Sequence, residues 1–171
     1  MLFGEKNAIA GLVPCQNGTI LLNGKDITGV SIRDRIEAGI SYIPEDRQDV
    51  GLVMGYNLKN NLALKKYYDE AFSHHLILDD EAMRDHGNRL IQAYDIRSSK
   101  GNDTIVRSMS GGNQQKAIIS REIDMNGRLI IFMQPTRGLD VGAISKLLLI
   151  LFAKNNRSPR ALGEIYDKGK R

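Results

Sequence analysis

Apolar and polar positions alternate in one stretch near the start of the chain, a pattern typical of strands. In GTILLNGKDIT (18–28) the alternation surrounds Asn23-Gly24, a dipeptide that favours a tight hairpin turn. ISYIP (40–44) indicates a short buried strand that ends at its proline, and the charged residues EDRQDVG follow as a loop. This part of the chain is therefore predicted to form a hairpin, a strand and a loop.

A short helix is predicted between the hairpin and that strand. Ser31 and Asp34 have the spacing of a capping box, in which each side chain accepts a hydrogen bond from the other residue's main chain. Gly39 is placed to end the helix, because glycine adopts the left-handed conformation that often follows a last helical turn.

From residue 57 to residue 94 the apolar positions recur at helical spacing. NLKNNLALKKY (57–67) predicts one helix, and DDEAMRDHGNRLIQAY (79–94) predicts a second with Asp79 or Asp80 as its cap. The apolar face of the second helix is expected to contain Met83, Leu90, Ile91 and Tyr94. These helices belong to a predicted helical subdomain at 57–125.

The later part of the chain indicates a helix, a strand and a further helix. Ser110 can cap the helix GGNQQKAIISREI, and Asp140 is expected to start the helix VGAISKLLLILF. LIIF (129–132) does not alternate, which is expected of a strand with both faces covered in a parallel sheet. The order of the elements predicts an α/β fold with an inserted helical subdomain, and the tail 145–171 has no core pattern.

Composition is that of an ordinary globular protein, with 42% hydrophobic and 26% charged residues in 171. We expect one domain, 1–171. Cys15 is the only cysteine, which excludes an internal disulfide. The three histidines have no zinc-site spacing and are expected at the surface: His74, His75 and His86. The net charge of +4 comes from scattered basic residues, so we expect no nucleic-acid partner.

The most informative stretch is SMSGGNQQK (108–116), at the start of a predicted helix. Gly111 and Gly112 leave the N–H groups of the first turn approachable, and the helix dipole is positive there. A phosphate can sit at such a place. The residues by themselves are equally compatible with a capped helix that merely follows a glycine turn.

A second stretch, LIIFMQPTRGLD (129–140), follows the first, and the two stretches in this order are a more specific signal than either one alone. The two together, in this order, resemble the ATPase domains of ABC transporters. SGGNQQK, PEDR (44–47) and PTRGLDVGA (135–143) further resemble the second of two fused ATPase domains in sugar and nucleoside importers, and GLVPCQNGTILLNGKDITG resembles the start of that domain. The resemblance covers roughly residues 8–144. It implies a partial P-loop NTPase core with a parallel sheet and an inserted helical subdomain.

The resemblance also implies roles for individual residues. The helix start would close over the γ-phosphate of an ATP held by a partner domain, through Ser110, Gly111 and Gly112, with Asn113 and Gln114 behind them. Glu45 stands where many members have a glutamine that senses Mg²⁺, although a plain loop acid is an equal alternative. Asp140 resembles a loop aspartate that reaches across the dimer, and it can cap a helix at the same time.

The chain departs from the family at three places. No glycine-rich loop with a lysine is found for the phosphates, so the resemblance implies a domain truncated at that loop and again after Asp140. Met133 and Gln134 stand where the family has a magnesium-associated acid and a water-activating acid. A thioether is a poor ligand for Mg²⁺, and an amide cannot take a proton from water. We therefore do not expect the chain to hydrolyse ATP alone, and whether it is an enzyme stays open.

The resulting hypothesis is an ATP-binding fragment of an importer for sugars or nucleosides. ATP and Mg²⁺ would be held mainly by a second ABC ATPase domain, and the helical block would contact membrane permease subunits at the cytoplasmic face. Two alternatives stay open: a non-catalytic interaction or regulatory module, and an inert truncated remnant that binds no nucleotide.

Overall fold

The computed structural model describes residues 2–75 and 77–133, with side chains from Lys6 onward. The expectations for Gln134, Asp140 and the segments after them lie outside these residues. The described helices and strands are α1 (Leu2–Ala10), β1 (Leu21–Leu22), β2 (Lys25–Asp26), α2 (Ile32–Glu37), β3 (Ile40–Ile43), α3 (Leu58–Ala63), β4 (Ser73–His74), β5 (Ile77–Leu78), α4 (Asp80–Tyr94), α5 (Gly111–Asp124) and β6 (Leu129–Phe132).

The predicted hairpin and capping box are both confirmed. β1 and β2 pair antiparallel, and Asn23 and Gly24 between them have φ values of 51° and 79°, as a primed hairpin turn requires. Ser31 and Asp34 form the capping box of α2, with each side chain bonded to the other residue's main-chain N–H. Gly39 follows α2 with a φ of 100°.

β3 and β6 form a parallel pair, in register from Ile40 opposite Leu129 to Ile43 opposite Phe132. Helices α3, α4 and α5 lie between these two strands in the chain, so the α/β class with a helical insertion is confirmed. The boundaries 57–125 stay a prediction.

The expectation that LIIF is covered on both faces is wrong for the described residues. Leu129 is 37% exposed, and the other three residues of β6 are only partly buried. Side chains alternate across a strand, and Ile130 and Phe132 are the two that pack against the main core. An unbroken apolar run therefore did not distinguish one-sided from two-sided packing.

α3 is shorter than predicted and ends at Ala63 rather than at 67. Asn57 caps its first turn, and turns of the i to i+3 type follow from Ala63 to Asp69. The side chains of Lys65 and Lys66 in this region reach across to α5, where they bind Glu122 and Asp124. These long-range contacts are invisible to helical periodicity.

α4 has the predicted cap and apolar face. The Asp79 carboxylate accepts from the N–H of Ala82, and the helix ends at Asp95, which has a φ of 51°. Along the predicted face, Met83 and Leu90 are buried and Ile91 and Tyr94 are partly buried.

His86 is buried, so its expected place at the surface is wrong, whereas His74 and His75 are exposed. Its ring lies edge-on to Phe72 with 5.1 Å between the ring centroids. Its Nδ1 lies 3.1 Å from a guanidinium nitrogen of Arg89. The tertiary fold turns this polar position of α4 towards a small apolar cluster.

The main core lies between α3, α4, α5 and β3. Twelve buried side chains form it: Ile43, Leu52, Leu58, Leu62, Leu90, Ile96, Val106, Met109, Ala117, Ile118, Ile119 and Ile123. In the described parts of the chain, no helix is long and apolar enough to cross a membrane.

Candidate functional site

The start of α5 carries the residues singled out by the sequence. Ser110 occupies the N-cap position with φ and ψ of −64° and 151°, but its side chain makes no capping hydrogen bond. The expected capping by its hydroxyl is therefore wrong. The reason is that the hydroxyl oxygen accepts a 2.9 Å hydrogen bond from the side-chain amide of Asn113 instead. Ser110 is exposed, so its hydroxyl faces solvent at the positive end of the helix.

Asn113 is held on its other side by the turn that follows α4. The main-chain N–H of Arg97 donates a 2.9 Å hydrogen bond to the side-chain oxygen of Asn113. One turn further along α5, Lys116 donates to the main-chain oxygen of Asp95 at 2.6 Å and to its carboxylate at 3.2 Å. The first two turns of α5 are thus fastened to the end of α4.

Gln114 lies on the buried side of the same helix. Its side-chain nitrogen donates a 3.0 Å hydrogen bond to the carbonyl oxygen of Val106, and its main-chain N–H donates to the carbonyl oxygen of Ser110. Gln114 is 3% exposed. It therefore supports the helix start from its buried side, whereas Ser110 is exposed and the two glycines are partly buried.

Arg47 contacts the helix start from the loop after β3. Its guanidinium donates a 3.2 Å hydrogen bond to the carbonyl oxygen of Gly111. A Cβ atom on Gly111 would lie 3.2 Å from a guanidinium nitrogen, so a larger residue there would require Arg47 to shift by a few tenths of an ångström. Sequence reasoning missed Arg47, although it is the last residue of the PEDR stretch.

The position of Arg47 adds positive charge where the helix is already positive. Together with the uncapped first turn, this charge makes the start of α5 suited to a phosphate group.

Glu45 and Met133 follow the ends of the two parallel strands. Met133 is buried, and its N–H donates a 2.9 Å hydrogen bond to the carbonyl oxygen of Ile43, which extends the pairing of β3 and β6. Glu45 is partly buried. Burial and the nearby charge of Glu45 both raise the pKa of Tyr42. The carboxyl ends of both strands thus meet at one edge, and Arg47 joins that edge to α5.

A buried charge network fixes the rest of α5 against β3. Glu122 is fully buried, and its carboxylate accepts from Lys65 at 2.7 Å, from Arg121 at 3.0 Å and from the N–H of Tyr42 at 3.1 Å. Arg121 also donates to the carbonyl oxygen of Gly51. Burial lowers the pKa of Lys65, and the nearby Glu122 opposes that change. This network holds β3, α3 and α5 in one arrangement and so aims the start of α5.

Candidate metal ligands are sparse around this site. Within residues 2–75 and 77–133 there is no group of three or more His, Cys, Asp and Glu side chains that could hold a metal ion. Met133 offers only a buried thioether. Gln134 and Asp140 lie outside the described residues.

Comparison with known proteins identifies relatives of the chain. Residues 6–137 match a family model described as ABC transporter. The chain is 45% identical over 137 residues to the "Nucleoside import ATP-binding protein NupA" of Lactococcus lactis, and 47% identical to the "Guanosine import ATP-binding protein NupO" of Bacillus subtilis. In both alignments 80% of this chain is covered but only 27% of the relative, so the chain spans about a quarter of their length. A "Ribose import ATP-binding protein RbsA" of Lactococcus lactis is 37% identical over 136 residues, which cover 80% of this chain and 27% of that protein.

A solved structure shares the fold. The dimeric post-hydrolysis state of the ATP-binding cassette MJ0796, bound to ADP and phosphate, superposes with a TM-score of 0.72. The match covers 90% of this chain and 64% of that one at 18% sequence identity, so it speaks for the fold alone.

Proposed function

Because the chain belongs to the ABC transporter family, we propose that the start of α5 supplies one half of a shared ATP site in an importer of nucleosides or sugars. The relatives named above support the solute classes, since they are import ATP-binding proteins for nucleosides, guanosine and ribose. Which solute is carried would be decided by other subunits.

The ligand in this proposal is the terminal phosphate of ATP. ABC ATPases bind ATP together with Mg²⁺. The residues at the start of α5 fit a phosphate, because the Ser110 hydroxyl does not cap the first turn and glycine at the next two positions places no side chain over its N–H groups. The guanidinium of Arg47 against Gly111 adds a positive charge there. Donors and a dipole held in place before the reaction would stabilise the charge of phosphoryl transfer.

A partner ATPase domain would supply the other half of the site. It would contribute the phosphate loop, the magnesium ligands and the acid that activates water. This assignment follows from the chemistry of Met133 and Gln134, since neither a thioether nor an amide replaces a carboxylate in those roles. ATP and Mg²⁺ would therefore be held mainly by the partner, and Glu45 and Asp140 would contact the shared site.

The helical segment 57–125 would contact the membrane permease subunits on the cytoplasmic face of the membrane. Two exposed apolar side chains belong to this region: Tyr56, just before the segment, and Ile105 within it, are 51% and 45% exposed. The two lie close together, because the N–H of Val106 donates to the carbonyl oxygen of Tyr56. An exposed apolar pair of this kind suits a protein contact.

The observation that carries the proposal is the state of Ser110 at the start of α5. Its hydroxyl does not cap the helix and instead accepts a hydrogen bond from Asn113. A complementation assay tests it. The 171-residue chain is mixed with an ABC ATPase domain that has an intact phosphate loop but carries arginine in place of its own Ser-Gly-Gly serine. ATP hydrolysis by that partner is expected to rise on mixing, because only this chain can then close the site.

The matched variants are Ser110→Arg and Ser108→Arg. Both serines are exposed, and they lie two residues apart. Ser110→Arg is expected to abolish the gain in hydrolysis, whereas Ser108→Arg is expected to keep it. A gain that survives Ser110→Arg would point to an interaction module that acts without the α5 start.

A further inference from the structure

We infer that Asn113 is a positioning residue that directs the hydroxyl proton of Ser110 towards the phosphate, rather than a residue that touches the nucleotide itself. The inference rests on the proposed function of the α5 start and adds a mechanism within it. Three hydrogen-bonding groups carry it: the main-chain N–H of Arg97, the side-chain amide of Asn113 and the hydroxyl of Ser110.

The orientation of the Asn113 amide follows from its partner on the α4 side. A main-chain N–H can only donate, so the atom of Asn113 that lies 2.9 Å from the nitrogen of Arg97 must be the amide oxygen. The amide nitrogen therefore faces Ser110. The alternative, flipped amide would place two donors against each other at the Arg97 contact.

This orientation decides what the Ser110 hydroxyl can do. An amide nitrogen only donates, so the Ser110 oxygen is the acceptor in the 2.9 Å hydrogen bond from Asn113. The single hydroxyl proton of Ser110 is then excluded from that bond and points elsewhere. Because Ser110 is exposed at the N-terminus of α5, the proton is directed to solvent, where an incoming phosphate oxygen can accept it.

The spacing of the two side chains makes this arrangement unusual for a helix start. Ser110 and Asn113 are the N-cap and the third helical residue, the same positions that Ser31 and Asp34 hold in α2. In α2 both side chains cap the main chain, and the Ser31 hydroxyl also donates a 2.7 Å hydrogen bond to the Asp34 carboxylate. In α5 the contact between the two side chains runs the other way, because Asn113 donates to Ser110, and the first turn has no side-chain cap.

Asparagine is the residue type that this geometry needs. An aspartate at 113 could still accept from the N–H of Arg97, but it would also accept the proton of Ser110 and so reverse the hydrogen bond. Its negative charge would repel a phosphate. The same charge favours the helix itself, since acidic residues in a first turn stabilise helices. Asn113→Asp is therefore expected to impair the function of the α5 start without lowering the stability of the protein.

The decisive experiment combines the complementation assay with amide hydrogen exchange and urea unfolding of the full 171-residue chain. Asn113→Asp is expected to lower the gain in ATP hydrolysis about a hundredfold, as the loss of one positioned donor does. Its unfolding midpoint is expected to equal or exceed that of the unchanged chain. The amide of Arg97 is expected to stay protected from exchange in Asn113→Asp and to lose protection in Asn113→Ala.

Arg97→Ala is the matched control, because it removes a side chain but keeps the N–H that anchors Asn113. This variant is expected to keep the gain in ATP hydrolysis. It is also expected to keep the main-chain amide of residue 97 protected from hydrogen exchange, because Asn113 still accepts from that amide. If Asn113→Asp or Asn113→Ala keeps the full gain while Ser110→Arg loses it, the positioning role is wrong and the proposed function stands. The positioning role also fails if Asn113→Ala leaves the Arg97 amide protected. If Asn113→Asp, Asn113→Ala and Ser110→Arg all keep the gain in ATP hydrolysis, the proposed function itself is wrong.

Discussion

The guanidinium of Arg47 donates a 3.2 Å hydrogen bond to the carbonyl oxygen of Gly111, which joins the loop after β3 to the first residue of α5. The loop begins at the carboxyl end of a sheet strand, and α5 begins at the proposed phosphate site. Movement of either element is therefore expected to affect the other. This contact connects the loop that contains Glu45, two residues before Arg47, with the start of α5.

Replacement of Arg47 by alanine is expected to lower the gain in the complementation assay about tenfold, because one hydrogen bond from a charged group contributes about 1.5 kcal/mol. The matched control is Arg33→Ala, which removes an exposed arginine paired with Glu37 far along the chain from α5. The role assigned to Arg47 is contradicted if both variants behave alike.

Replacement of Glu122 by glutamine is expected to destabilise the fold by about 3–5 kcal/mol, since it leaves the buried cation of Arg121 and the partly buried cation of Lys65 without their carboxylate. Urea unfolding measures the change. Glu37→Gln breaks an exposed ion pair and is expected to leave stability unchanged. Equal effects of the two substitutions would show that the buried network is not what holds α5 on β3.

Replacement of Gly87 by alanine is expected to destabilise the protein, although alanine normally favours a helix over glycine. A Cβ atom on Gly87 would overlap the buried side-chain oxygen of Asn102. The side-chain nitrogen of Asn102 fixes that position, because it donates to the carbonyl oxygen of Arg84 and to the side-chain oxygen of Asn88. Overpacking of this kind costs about 1–3 kcal/mol. Gly55→Ala, which meets no atom within 4 Å, is the control. A stabilising Gly87→Ala would contradict the packing of α4 on the turn at 101–103.

His86 is expected to make the protein less stable as the pH falls. Burial lowers its pKa, Asp124 opposes that change, and Arg89 and Lys66 lower the pKa further. The folded protein then binds fewer protons than the unfolded chain, so its unfolding free energy falls as the pH drops through about 6.5, the ordinary pKa of histidine. His86→Gln is expected to flatten this slope in urea unfolding between neutral and mildly acid pH. The exposed His74→Gln is expected to leave it unchanged, and an equal slope in both variants would refute the burial of His86.

Local sequence signals predicted the local structure well. The Asn23-Gly24 turn, the capping box of α2 and the cap of α4 each depend on residues within a few positions of one another, so their chemistry can be read directly. The unbroken apolar run LIIF and the order of the elements predicted a parallel sheet with a helical insertion, and the family resemblance implied the same. The start of α5 was found because Ser-Gly-Gly has a recognisable spacing.

Long-range contacts account for what the sequence did not predict. Ser110 has the residue type of a cap, but Asn113 competes for its hydroxyl because Arg97 orients the asparagine from 16 residues away. His86 lies on a polar stretch of α4, and tertiary packing buries it, with Phe72 and Arg89 among the residues in contact with its ring. Arg47 was overlooked because its partner lies 64 residues away in the chain. None of these contacts leaves a periodic signal.

Association in the presence of nucleotide tests the central claim most directly. The 171-residue chain and a hydrolysis-deficient partner ATPase domain with an intact phosphate loop are examined together by sedimentation velocity, with Mg-ATP and with Mg-ADP. The account predicts a complex with Mg-ATP only, and its loss in Ser110→Arg but not in Ser108→Arg. Equal association with ATP and ADP, association that is unaffected by Ser110→Arg, or no association with ATP would each contradict it.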